Sequence, residues 1–345
     1  METSGLAQTP PDLTVVRPKR QGTSSWPLID RLGYWLCWTT GAALCLIVSA
    51  IVIFMLVKGI SYLKPALFVE SPSASQQQSK SGGFSDPIIG TLIITAIGTA
   101  IAAPIGVALA AWVSEYGRPA PLARAVESGV DVIAGVPSVV LAIFGLLVFT
   151  QNFLGFLSQH ADNGAVYGRS FFAAGIVMSA LALPLIVGST REALAQIPDR
   201  MREASYALGK SRASTIRSVL LPAIRPDIAS GVVLGMGRII GDTAIITILL
   251  GATLTNQPVG GVPLIGDLRG TGSTLTSYVY YNSPAGEGNS PQKAYAAAFV
   301  LLLIVLLLNM LVTRLSRGRE DRGPLSILLS QLGTWGYRLT RGRSS

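Results

Sequence analysis

The chain has 345 residues, half of them hydrophobic and only 13% charged, with a positive mean hydropathy. That composition excludes an ordinary soluble domain and makes lipid the expected solvent. A formal net charge of +9 would suit a nucleic-acid partner, but the Lys and Arg residues follow the segments between apolar runs, which argues against that reading.

Residues 1–32 read as a polar, Pro-containing cytoplasmic tail without periodicity over 1–27. Beyond it the sequence predicts an all-α polytopic membrane protein. A hydrocarbon core about 30 Å thick needs roughly 20 apolar residues per helical crossing, and such stretches recur at 33–57, 89–113, 130–150, 171–190, 229–251 and 295–313. A closed barrel would instead alternate apolar and polar residues, whereas 297–312 (AAFVLLLIVLLLNMLV) is apolar nearly all round. In the first helix, 33–57, Val48-Ser49-Ala50 could pass for a cleavage site, but the apolar run continues to Leu56, so the helix is read as uncleaved. Its cysteines, Cys37 and Cys45, lie about 12 Å apart along the axis, too far to bridge. Residues 58–88 form an extracytoplasmic flexible linker, of low complexity from Ser71 to Gly83. A transmembrane core at 89–315 follows, with a cytoplasmic loop at 191–227, a long outer loop at 252–294, and a basic cytoplasmic tail at 316–345. In that tail, Pro324 to Arg343 reads either as a segment on the inner membrane surface or as a poorly ordered basic end. No internal repeat is evident, so a two-half inverted transporter is not supported.

The basic residues orient the helices. Arg17, Lys19, Arg20 and Arg31 precede the first, Arg118 and Arg124 follow the second, and the fourth loop and the C-terminal segment are the richest. Lys58, Lys64, Lys80, Arg169, Arg269 and Lys293 fall on the other side, and Arg238 lies inside a span. This bias places both termini in the cytoplasm.

The loop at 191–227 is long, charged and helical in pattern, which marks a docking surface. Small residues at Ala204, Ser205 and Ala207 allow close approach, Gly209 permits a turn with positive φ, and a second helix can restart beyond it. There Ile216, Val219 and Leu220 fall on one face, opposite Ser214 and Ser218. The pattern Glu203, Ala204, Ser205, Gly209, Val219, Leu221, Pro222 resembles the E-A-A loop of bacterial ABC importer permeases, with Ser for the second Ala and Val for Ile. The resemblance implies a coupling helix that inserts into a separate cytoplasmic ATPase; the plain alternative is an amphipathic surface helix. Gly209-Lys210-Ser211 ends like a P-loop, but the position five residues before Gly209 is Ala204 and the preceding residues read as helix, so no ATPase site is expected in this chain.

Two features lie inside the predicted spans. Arg238 falls about 15 Å along the fifth helix, near the midplane, where a charge costs at least about 2.5–3.5 kcal/mol and should face a pathway or a partner. Asp242, one turn on, is expected to pair with it; the two are read as an oxyanion site, Arg238 giving bidentate donors, or as a structural ion pair. In the third helix, Gly135-Val136-Pro137-Ser138 places a proline where it breaks the backbone ladder. The half-helix after it, with the Ser138 hydroxyl, is read as a second anion contact or as a packing kink. Glu127 and Asp131 are expected at the cytoplasmic interface, and His160 stands in an outer loop with no metal or catalytic role expected.

Gly90-Thr91, Pro104-Ile105-Gly106, Ser114-Glu115-Tyr116, Gly135 to Ser138 and Arg238 to Ala244 together resemble the phosphate importer permeases of the PstA type, over about residues 82–315. Asp242 stands where that family usually has Glu. The resemblance implies the MetI-like ABC permease fold and a phosphate pathway past Arg238, Asp242, Thr243, Pro137 and Ser138. Its implied partners are a second permease of PstC type, two copies of a PstB-type ATP-binding subunit and an external PstS-type phosphate-binding protein, with no cofactor. The rivals are a permease for another oxyanion or metabolite of the same superfamily and, from another class, an ion-coupled secondary transporter. A membrane enzyme lacks a catalytic cluster.

Overall fold

The computed structural model describes residues 28–72, 82–117, 119–158, 166–251, 268–284, 286 and 290–316. Most of the expected tails (1–27 of 1–32 and 317–345 of 316–345), most of the low-complexity linker, His160 and the first part of the outer loop, 252–267, lie outside the described residues. The chain divides into two units, Met1–Phe54 and Met55–Ser345. The described part of the first is the body of α1 (Leu28–Gly59), whose most apolar stretch has none of its residues buried. A helix apolar on every side and exposed, as at Trp35 and Leu44, is suited to lipid and not to water.

The second unit contains α2 (Ser85–Ala111), extended by a turn of π-helix at Trp112–Tyr116, α3 (Ala120–Gly135), α4 (Ser138–Phe149) and α5 (Phe171–Gln196). Then come α6 (Asp199–Ala207), α7 (Arg212–Ala223), α8 (Arg225–Gly241), α9 (Ala244–Leu249), α10 (Leu275–Asn282) and α11 (Pro291–Ser316). The described residues contain no β-strand. Four helices, counting α2 with its π extension, are long and apolar enough to cross a membrane unbroken, and the number rises to six when α3 with α4 and α7 with α8 each count as one bent span.

Breaks inside two of the predicted crossings refine the expectation of six continuous helices. At 130–150 the chain turns by 108° between α3 and α4. Proline crowds the residue before it out of the α region, and Val136 is accordingly extended at φ −73°, ψ 129°. At 229–251, α8 stops at Gly241, Asp242 is extended at φ −81°, ψ 122°, and α9 restarts at Ala244.

The most buried helix is α5, packed between α2 and α8. Small residues bring the backbones together. A Cβ at Gly98 would lie 2.9 Å from the Ile239 side chain, one at Gly106 2.8 Å from Ile186, and one at Gly175 would overlap Ile97. Close packing of this kind carries helix association in lipid, where burying a leucine against another helix gains little over burying it in acyl chains. A second cluster seats α10 between the start of α2 and α11. Phe84 and Tyr278 meet edge to face at 5.4 Å beside Leu275, Ala296 and Ala297, and burial pushes the Tyr278 phenol from 10.0 up to about 12. Here the Gly90-Thr91 pair explains itself: the Ser273 carbonyl occupies the space a Cβ on Gly90 would need, and Thr91 Oγ1 accepts the Leu275 N–H at 2.9 Å.

Candidate functional site: the elbow and the broken fifth span

The elbow at 199–223 forms as two helices closed by a Schellman turn. The Lys210 N–H donates to the Ser205 carbonyl and the Gly209 N–H to that of Tyr206, with Gly209 at φ +76°. This geometry needs a residue without a Cβ penalty in the left-handed region. Ser211 then caps α7 by accepting the Ser214 N–H at 3.3 Å. Glu203 to Ala207 lie in α6, so Gly209-Lys210-Ser211 closes a helix and does not cradle a phosphate, and Lys210 Nζ donates to Ser218 Oγ at 2.9 Å. Leu220 is fully buried with Ala193, Leu194 and Ile197, and Ile216 and Val219 are partly buried beside it, which is the predicted apolar face.

The residues of the E-A-A pattern divide by direction. Glu203 and Ala204 are exposed. Ser205 is not part of an open small-residue surface: it is 5% exposed, and its hydroxyl meets that of Thr215 at 2.9 Å, tying one arm of the elbow to the other. Outside this tie runs an open groove of about 250 Å³ lined by Met201, Ala204, Ser205, Leu208, Lys210 and Val219, with Leu208 81% exposed. Leu221 turns to another apolar groove, shared with Trp112 and Tyr116 of α2, and Pro222 is half-buried. Arg202, which no sequence pattern singled out, sits at the base of the elbow and binds Glu115 of α2. Its neighbour in space is 87 residues away in sequence, so only the motif position of Glu115 hinted at it.

In the fifth span the expected Arg238–Asp242 pair does not form. The i, i+4 geometry requires helix through both residues, and α8 ends between them. Asp242 is 8% exposed and its Oδ1 accepts the Ile245 N–H at 2.9 Å, so the carboxylate caps α9. Arg238, in the last turn of α8, is exposed and makes no ion pair with any described residue. Thr243 stands in the break as the residue before α9. Sequence reasoning also missed Thr276 of α10, whose hydroxyl donates to the Ile240 carbonyl at 2.6 Å and satisfies one acceptor that the end of α8 leaves open. In the third span Pro137 is exposed, Ser138 is half-buried at the start of α4, and α4 packs against α9 through Ala142, Gly145, Ile245 and Leu249. Of the charged groups of α3, Glu127 pairs with Arg191 of α5 at 2.7 Å with both side chains about a third exposed, and Asp131 is exposed. Among the described residues no cluster of His, Cys, Asp or Glu could hold a metal ion.

Residues 102–321 match the family described as binding-protein-dependent transport system inner membrane component. The chain is 30% identical over 248 residues to the phosphate transport system permease protein PstA 1 of Mycobacterium tuberculosis, covering 71% of this chain and 74% of that one. It is 32% identical over 293 residues to the probable ABC transporter permease protein YqgH of Bacillus subtilis, covering 81% and 89%. Among solved structures, a chain of the bacterial alginate ABC transporter in complex with an alginate pentasaccharide-bound periplasmic protein aligns with TM-score 0.58 at 19% identity, covering 84% of this chain and 94% of that one. The likeness to that chain is one of fold, and the family match takes in most of the second unit: the chain is a multi-pass membrane protein that belongs to the binding-protein-dependent transport system inner membrane components, as an ABC importer permease of the PstA type.

Proposed function

We propose that this chain forms one permease half of an ATP-driven importer of inorganic phosphate, with ATP hydrolysed by a separate subunit. The observation that carries the reading is Arg238: an exposed guanidinium in the last turn of a helix that stops within the span, with the nearest acid in sequence engaged elsewhere. A planar fork of donors without a carboxylate partner suits a tetrahedral oxyanion, which it can bind in bidentate fashion. The names of the relatives point to phosphate among the oxyanions. Thr243 beside the break, and Ser138 beyond Pro137, offer hydroxyls for the remaining oxygens.

The elbow supplies the coupling. Glu203, Ala204 and Leu208 face outward around an open groove, and Gly209 holds the turn, a surface on which a cytoplasmic ATPase of PstB type can dock in two copies across this chain and a PstC-type partner. With both termini in the cytoplasm, as the basic residues orient them, the elbow lies inside and the α10 side faces a PstS-type binding protein. In a complex reconstituted into liposomes, ATPase activity should rise with the phosphate-loaded binding protein and remain basal with sulfate or molybdate. Stimulation by another oxyanion would reassign the cargo, and uptake driven by an ion gradient without any ATPase would replace the reading with a secondary transporter.

A further inference from the structure

Glu115 and Arg202 form an ion pair that the coupling motif does not contain. Arg202 Nε and Nη2 both donate to Glu115 Oε1, at 3.1 and 3.0 Å. Nη2 also donates to the Leu194 carbonyl at 2.9 Å, and Nη1 to the Ile197 carbonyl at 2.8 Å and to Asp199 Oδ1 at 3.2 Å. A guanidinium has five N–H donors, and all of them are used. The four acceptor residues come from three parts of the joint: Glu115 from the π-helical end of α2, Leu194 and Ile197 from the C-terminal end of α5, and Asp199 from the first turn of α6. The centre of the joint is enclosed, the Glu115 side chain being 7% and that of Arg202 18% exposed, whereas Asp199 at 88% sits on its rim. Arg212 of α7 reaches the same point from the far arm of the elbow, donating to the Glu115 carbonyl at 3.5 Å.

From this geometry we propose that the Glu115–Arg202 pair is the joint through which movement of the elbow reaches the membrane helices, Arg202 acting as a positioning residue. The inference rests on the reading of α6 and α7 as the ATPase-coupling element. Apart from the joint, α6 is tied to α7 by the Ser205–Thr215 hydroxyl contact, and α7 in turn meets the end of α5 through the apolar cluster around Leu220, Leu194 and Ile197, a surface that can slide. A charge-assisted contact in which two donors of one guanidinium converge on a single carboxylate oxygen cannot slide, because its strength depends on the direction of the donors. Beyond the joint, α2 and α5 are locked together by the Gly106–Ile186 and Gly175–Ile97 contacts, so a displacement delivered to their ends moves both as one body. The π turn at Trp112–Tyr116 is part of the device: an extra residue in the turn re-aims side chains, and such turns often mark functional positions. Lysine could supply the charge of Arg202 but not five donors in one plane.

The test uses the assembled complex with its binding protein in liposomes and two mild variants, Glu115→Gln, which keeps an acceptor oxygen, and Arg202→Lys, which keeps the charge. Both should assemble and retain basal ATPase activity while phosphate imported per ATP hydrolysed falls about tenfold, a size usual for coupling between sites. Import per ATP at the wild-type value in either assembled variant overturns the proposal. ATPase and import falling in step, or failure of both variants to assemble, marks a merely structural ion pair and overturns it equally. A wild-type complex without phosphate-stimulated ATPase activity fails the functional reading instead, since the joint concerns only the difference between variant and wild type.

Discussion

Two arginines stand on either side of this molecule's mechanical problem and are treated in opposite ways. Arg202 is enclosed between the elbow, α2 and α5, with every donor spent on protein acceptors. Arg238, at the broken end of α8, is exposed and without a carboxylate partner among the described residues. A saturated guanidinium costs much to displace and so transmits position; an unsaturated one has donors to offer and so can bind and release a ligand. What sets the difference is the backbone around each residue. Converging helix ends leave carbonyls that need donors, and Arg202 satisfies two of them, whereas the break after Gly241 turns Asp242 into a cap and takes from Arg238 its nearest acid.

The comparison is sharpest at Arg238. Arg238→Gln removes the charge and one edge of the donor fork, and phosphate uptake should fall by roughly a hundredfold or more while the ATPase still co-purifies; uptake near the wild-type rate would end the contrast between the two arginines. Next is Gly209, where open space surrounds the missing Cβ and the cost of a side chain is the left-handed backbone alone. Gly209→Val should cost about 1–2 kcal/mol in the elbow and weaken ATPase co-purification, with Gly209→Asn closer to wild type because asparagine tolerates that conformation. Equal behaviour of the two variants would show that the turn is not what presents the surface.

A smaller effect is expected at Asp242. Asp242→Ala should lower the melting temperature of the purified protein through loss of a cap worth about 1 kcal/mol, and Asp242→Asn should restore most of it. If Asn fails where Asp succeeds, the charge matters and the pairing with Arg238 returns as the better account. Smallest is the alkaline limit of the segment that holds the end of α8. The Tyr278 phenol titrates near 10.0 when unfolded and at about 12 when buried. Its contribution is therefore complete below pH 10 and is lost as pH rises toward 12. Tyr278→Phe should flatten the fall in thermal stability over that range, and an unchanged pH profile would count against burial as the cause.

Much of this organisation was legible in residue order. Runs of twenty apolar residues report crossings because lipid cannot solvate a peptide group. Pro137 announced the break in the third span through its own covalent geometry, and Gly209 announced the turn. Ser205 misled in part, since a small residue in a docking pattern suggested an outward surface while its hydroxyl is turned to Thr215. The break in the fifth span was invisible because Gly241-Asp242-Thr243 contains no proline, and the helix that stops there is held by a contact from Thr276, 36 residues further along the chain.

The sequence by itself determined the solvent, the number and order of apolar segments, the family and the position of the elbow, all of which follow from local composition or from spacing along one helix. Only the tertiary structure decided which charges are spent and which are free. Glu115 and Arg202 meet across 87 positions, and Arg238 and Asp242 part across four, because a hydrogen bond answers to distance in space, and the path of the backbone between two residues sets that distance.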